Sequence, residues 1–221
     1  MAYILHIETA TRNCSVAIAQ NGQTLVCREI AEEGYSHAEK LHVFIEQTLA
    51  DASIGYKDLS AIAVSQGPGS YTGLRIGVSA AKGLCFALGI PLIAVDTLQA
   101  LASRVSQTDG KIISMIDARR MEVYSAVFDA SHAKIREVQA EVITPDSFSE
   151  IAGKIYLVGD CLEKCKPVLT DGRFVFLDEI VYPSAKEMGA IAYEKFQKND
   201  TVDVAYFEPY YLKDFMVTVK K

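Results

Sequence analysis

The stretch "SQGPGSYTGLRIG", Ser65 to Gly77, separates an apolar strand pattern, "LSAIAVSQ" (59 to 66), from a helix pattern running from Tyr71 to Leu88. Its glycines suit a phosphate cradle, a nucleophile turn or a close-packing device. A Walker A loop needs Gly-Lys-Ser/Thr so that amides, lysine and hydroxyl converge on phosphate, but Gly73 is followed by Leu74. A nucleophile elbow needs glycine two residues to either side of the serine, and Ser70 has Pro68 and Thr72 there. What remains is a strand-to-helix turn, Gly69, Ser70, Tyr71, Thr72 and Gly73, whose amides form a generic anion site at a helix start. A tight turn capped by Ser70 or Thr72 is the favoured alternative.

The helix that follows is apolar almost all round. Across "TGLRIGVSAAKGLCFAL" only Arg75 and Lys82 are charged, and at about 100° per residue they share one narrow stripe. A helix lying on a sheet normally shows one apolar face, so this one needs cover on both sides. Gly73, Gly77, Ala80, Ala81 and Leu84 form one broad side where small residues admit a close neighbour. A partner subunit is the sharper reading of that neighbour, and an internal core is the alternative.

Working outward, "AYILHIE" (2 to 8), "CSVAIAQ" (14 to 20) and "QTLVCREI" (23 to 30) read as three strands, the last two joined by Asn21-Gly22, a strong hairpin signal. From Ser36, as N-cap with Glu39 three residues on, a helix runs to about Ala52. "PLIAVD" (91 to 96) is another strand, and Thr97 opens a helix to about Val105. Three antiparallel strands followed by two right-handed crossover units make a ribonuclease H-like lobe, the repeating unit of α/β actin-like folds. A second, abbreviated lobe follows. It has a hairpin of "KIISMID" (111 to 117) and "EVYSAVFDA" (122 to 130) around Ala118-Arg119-Arg120, strands near 154 to 160 and 173 to 178, a short helix through Cys161 to Val168, and a helix from Ser184 to Lys198. The expected division is residues 1–106 and 107–221.

Composition narrows the chemistry. A net charge of −6 disfavours unaided binding to nucleic acid. No apolar run approaches a membrane span, and the start lacks the pattern of a signal peptide, so the expected compartment is cytoplasmic. Five cysteines without a CxxC pair read as reduced, mostly buried thiols. His37 and His42 stand five apart, which suits no shared ion and reads as a solvated helix face, so no metal is expected. Glu8, Asp96 and Asp117 each end a strand, where catalytic groups gather in parallel sheets, although capping of the following turn outranks catalysis. The phosphate turn of actin-like phosphotransferases, Asp-x-Gly-Thr between the first two strands, reads Glu8-Thr9-Ala10-Thr11 here, without the glycine.

"ILHIETAT", "SHAEKL", "GPGSYTGLRIG", "VDTLQALA", "MIDARRMEVYSAVFD" and "EPYYLKDF" together resemble the TsaB (YeaZ) family, nearly end to end. The departures are Glu8 for the usual Asp and Ser36-His37 for a more usual His-Ser order. The resemblance implies a two-lobed actin-like fold and a noncatalytic subunit in the formation of tRNA threonylcarbamoyladenosine. Its implied partners are a TsaD-type transferase and a TsaE-type ATPase, with a homodimer when alone and tRNA met only through the complex. It implies contacts through the first two helices, with Leu41, Phe44, Ile45, Leu74, Gly77, Val78 and Ala81 as the interface or its support. No resident cofactor is expected, ATP or ADP entering only at a partner junction. A stand-alone ATPase or small-molecule kinase of actin-like fold is the alternative, and a peptidase is rejected for want of ligands.

Overall fold

The computed structural model describes residues 1–32, 37–106 and 109–213. β1 (Tyr3–Glu8), β2 (Asn13–Gln20) and β3 (Gln23–Ala31) form an antiparallel meander, with Leu5 opposite Ile18 and Val16 opposite Arg28. The β2–β3 turn places Asn21 at φ 50° and Gly22 at φ 87°, left-handed backbone that these two residue types tolerate. α1 (His37–Asp51) leads to β4 (Leu59–Gly67), which pairs parallel with β1. α2 (Tyr71–Leu88) then leads to β5 (Leu92–Asp96), parallel to β4, and α3 (Thr97–Ala102) follows at once. The first sheet has the order β3-β2-β1-β4-β5. The expected start of α1 at Ser36 lies outside the described residues.

The second sheet repeats that plan. β6 (Lys111–Asp117), β7 (Glu122–Phe128) and β8 (Lys134–Val142) are antiparallel, β9 (Ile155–Gly159) runs parallel to β6, and β10 (Phe174–Phe176) parallel to β9. Its order is β10-β9-β6-β7-β8, the same plan as the first. The abbreviation lies in the helices. Where the first lobe has α1 the second has irregular chain, whose Ile143, Phe148 and Ile151 cover the sheet, and where the first has α2 the second has only α4 (Leu162–Cys165). β8 has no counterpart among the strands expected from the sequence.

One boundary needs correction. α5 (Met188–Gln197) and the 3-10 turn before it (Ala185–Glu187) follow the second sheet in sequence, yet they pack on the first: Ala185, Met188 and Ala192 share a core with Ile4, Ala17, Ala63 and Ile93. Reciprocally, α3 sends Leu98, Leu101 and Ala102 into a core with Ile112, Ile116, Phe128 and Val158 of the second sheet. A division at residue 106 therefore cuts through packed cores. After α5 the chain makes a bridge from Val202 to Leu92 and runs back along α2.

Candidate functional site

The β1–β2 turn occupies the place that a phosphate-binding turn takes in the actin-like plan, and its own chain fills it. Glu8 is fully buried and accepts a hydrogen bond from Ala10 N at 2.6 Å. Ser70 N donates to Ala10 O at 2.6 Å, and Thr9 Oγ1 donates to Gly73 O at 2.8 Å. On the other flank His37 Nε2 donates to Thr11 O at 2.7 Å. The glycines explain how the helix start comes so near. A Cβ built on Gly69 would overlap Ala10 O, one on Gly73 would overlap Thr9 O, and one on Gly77 would overlap Thr9 Oγ1. The glycine-rich stretch is a lid pressed onto this turn.

Burial also sets the electrostatics. Loss of solvent raises the Glu8 carboxyl to about 7, against the smaller lowering effect of the hydrogen bond from Ala10 N. Two residues earlier, burial lowers His6 to about 4. His37 is buried rather than on a solvated helix face, and its pKa is lowered by desolvation. His42 is exposed. No group of three or more His, Cys, Asp or Glu able to hold a metal ion occurs among the described residues.

The strand-end carboxylates cap. Asp96 accepts from Leu98 N at 2.8 Å and Gln99 N at 3.2 Å at the start of α3, and pairs with Lys134 at 2.6 Å. Asp117 accepts from Arg119 N at 2.8 Å and pairs with Lys164. At the start of α2, Ser70 Oγ accepts from Gly73 N at 3.3 Å, so the turn is capped and the Ser70 and Gly73 amides are committed within the chain. Tyr71 and Thr72 lie at its rim, half-buried and exposed respectively.

Of the two roles expected for the residues of the first two helices, interface or its support, burial leaves the second. Leu41, Ile45, Leu74, Gly77, Val78 and Ala81 are buried inside this chain, and Phe44 is packed against the same core. They support a surface without forming one. The small-residue side of α2 is covered by the β1–β2 turn, and a second flank is covered by the C-terminal segment. There Lys82 Nζ donates to Ala205 O at 3.1 Å and Phe207 O at 2.9 Å, and Tyr211 stacks on Tyr71 with centroids 4.8 Å apart. Of the other C-terminal aromatics, Tyr206 is 84% exposed, whereas Phe207 packs against the first core. The face of α2 that stays open carries Thr72, Arg75, Ser79, Gly83 and Phe86, the last 86% exposed. Beside Phe86 a shallow cavity of about 570 Å³ is lined by Lys82, Gly83, Asp203, Val204 and Ala205. Sequence periodicity alone does not separate this face from the buried one, because both are rich in small and apolar residues.

Comparison with known proteins places the chain in a family. A family model described as "TsaD: tRNA N6-adenosine threonylcarbamoyltransferase" matches residues 29–166. The chain is 30% identical over 220 residues to the tRNA threonylcarbamoyladenosine biosynthesis protein TsaB of Escherichia coli (strain K12), covering 96% of this chain and 94% of that one. The chain belongs to the TsaB family. Among solved structures, YeaZ from Pseudomonas aeruginosa superposes with a TM-score of 0.85 at 26% identity, covering 96% of this chain and all of that one. Component A of the (R)-2-hydroxyglutaryl-CoA dehydratase of Acidaminococcus fermentans, at 11% identity and a TM-score of 0.53 over 88% of this chain and 99% of that one, shares the fold alone. The fold is the two-lobed actin-like ATPase fold, and the TsaB family is one of tRNA threonylcarbamoyladenosine biosynthesis. Among the described residues no helix is long and apolar enough to cross a membrane.

Proposed function

We propose that this chain is a noncatalytic, cytoplasmic subunit that pairs with a TsaD-type transferase and supports threonylcarbamoylation of tRNA adenosine, with a TsaE-type ATPase joining the assembly. The observation that carries the reading is the closed β1–β2 turn. Its Ala10 amide is taken by Glu8, its carbonyls by Ser70 and His37, and the glycines of the lid leave no room for a phosphate. That closure argues against the alternative of a stand-alone kinase or ATPase. We place any adenine nucleotide of the assembly at the junction with the partner rather than on this turn, and tRNA with the complex rather than with this chain alone.

The pairing surface is the open face of α2. Phe86 is 86% exposed and forms one wall of a shallow cavity on that face, and an exposed aromatic of this kind is a usual anchor of protein interfaces. The same face serves a homodimer when the transferase is absent. Light scattering on the full chain mixed with the transferase subunit is expected to give a defined complex. Phe86→Asp is expected to abolish that complex while the variant stays folded. Normal assembly and normal tRNA modification by Phe86→Asp would discard the surface, and heat released on titrating magnesium-ATP into the isolated chain would revive the alternative.

A further inference from the structure

The β6–β7 hairpin turns through Arg119, Arg120 and Met121, closed by Glu122 N donating to Arg119 O at 3.1 Å. Arg119 has φ 73° and Arg120 φ 50°. Left-handed backbone brings a Cβ against the following carbonyl, so glycine and asparagine are the usual occupants. The β2–β3 hairpin of this chain meets the same demand with Asn21 and Gly22. Two successive arginines meet it here, which leaves the strain in place and points to a use for the side chains that offsets it.

Both arginines are exposed, and among the described residues neither guanidinium is held in an ion pair. The carboxylates around them are already engaged. Asp117 pairs with Lys164, Glu122 pairs with Lys213, and Asp160 is half-buried and accepts from Asp117 N at 2.8 Å. The hairpin thus ends in two uncompensated cations on a chain of net charge −6. A small ligand takes a concave site, whereas this is an exposed tip, and the cavity beside Phe86 lies on α2. The guanidinium fork matches phosphate oxygens, and two adjacent forks on a protruding tip match neighbouring phosphates of a chain.

We infer that Arg119 and Arg120 grip the phosphate backbone of the RNA substrate in the assembled modification complex. This rests on the reading of the chain as a subunit beside a transferase that acts on tRNA. Because these contacts are to phosphate, they contribute affinity and orientation without reading sequence.

The test uses the complex of the full chain with the transferase subunit and a fluorescent, unmodified tRNA transcript, titrated by anisotropy between about 50 and 200 mM salt. In Arg119→Gln/Arg120→Gln the complex is expected to remain intact by light scattering. Its tRNA dissociation constant should rise about tenfold, and the slope of log affinity against log salt should fall by about 1.4 to 1.8, at roughly 0.7 to 0.9 per phosphate. A second variant, Arg119→Asn/Arg120→Gly, should lose the same affinity while its unfolding midpoint rises, because it relieves the backbone. Unchanged affinity and slope in an intact complex overturn the inference. So does loss of assembly, which would assign the arginines to an acidic surface of the partner, and so does altered ATP affinity with tRNA binding untouched. Failure of the wild-type chain to form the complex is visible before RNA is added, and it sinks the proposed function itself.

Discussion

Alanine acts in opposite directions on two glycines of α2. At Gly73 the added methyl overlaps Thr9 O, a backbone atom that cannot turn aside, so Gly73→Ala is expected to cost about 1–3 kcal/mol in denaturant unfolding. At Gly83 nothing lies within 4 Å of the added methyl, and the exposed helix interior gains about 0.5–1 kcal/mol. Equal effects at the two sites would remove the lid-on-turn account. Glu8 and His6 form a second residue-scale prediction. Glu8, raised to about 7, contributes stability that is full below its unfolded value near 4.5 and is lost as pH rises through 7. His6, lowered to about 4, contributes stability that is full above 6.5 and is lost as pH falls through 4. Between pH 5 and 6.5 the two slopes oppose each other, so wild-type stability should be nearly flat there. In Glu8→Gln the His6 slope stands alone, and the variant should be about 2 kcal/mol more stable at pH 7 than at pH 5. A flat profile for Glu8→Gln contradicts this.

At the scale of elements, much of the fold was legible because local signals and tertiary demands agreed. Ser70 and the left-handed Gly89 bound α2 at the residues where its pattern starts and stops, and Asn21-Gly22 fixes the first hairpin. β8 was missed although "KIREVQAEV" alternates, since its exposed Ile135 and Val142 blur the polar face of an edge strand. The candidate site was legible only in part. Small residues on α2 announce a close neighbour without saying which, and here the neighbours are Thr9, Ala10 and the returning C-terminal segment. The proposed pairing face consequently lies further round the helix, at Phe86. Ala81→Glu is a useful contrast for that reason: it buries a charge in the first lobe and should unfold the chain, whereas Phe86→Asp should spare it.

For the molecule as a whole, the cores join what the sequence order separates. Met188 is fully buried between α5 and the first sheet, so Met188→Ala is expected to cost about 2–5 kcal/mol and to hasten hydrogen exchange at β1 and β5, far away in sequence. Unchanged exchange there would return α5 to the second lobe. The sequence order hid this because an apolar helix face does not state which sheet it will meet. The arrangement also has a consequence at the ribosome. Ile4, Ala17, Ala63 and Ile93 leave the exit tunnel early, but their cover, residues 185–197, is made roughly 90 residues after β5. At about 5–20 residues per second that interval lasts about 5–20 s, during which a finished-looking first sheet carries a bare greasy back. The nascent chain is then a natural client for holding chaperones until α5 arrives.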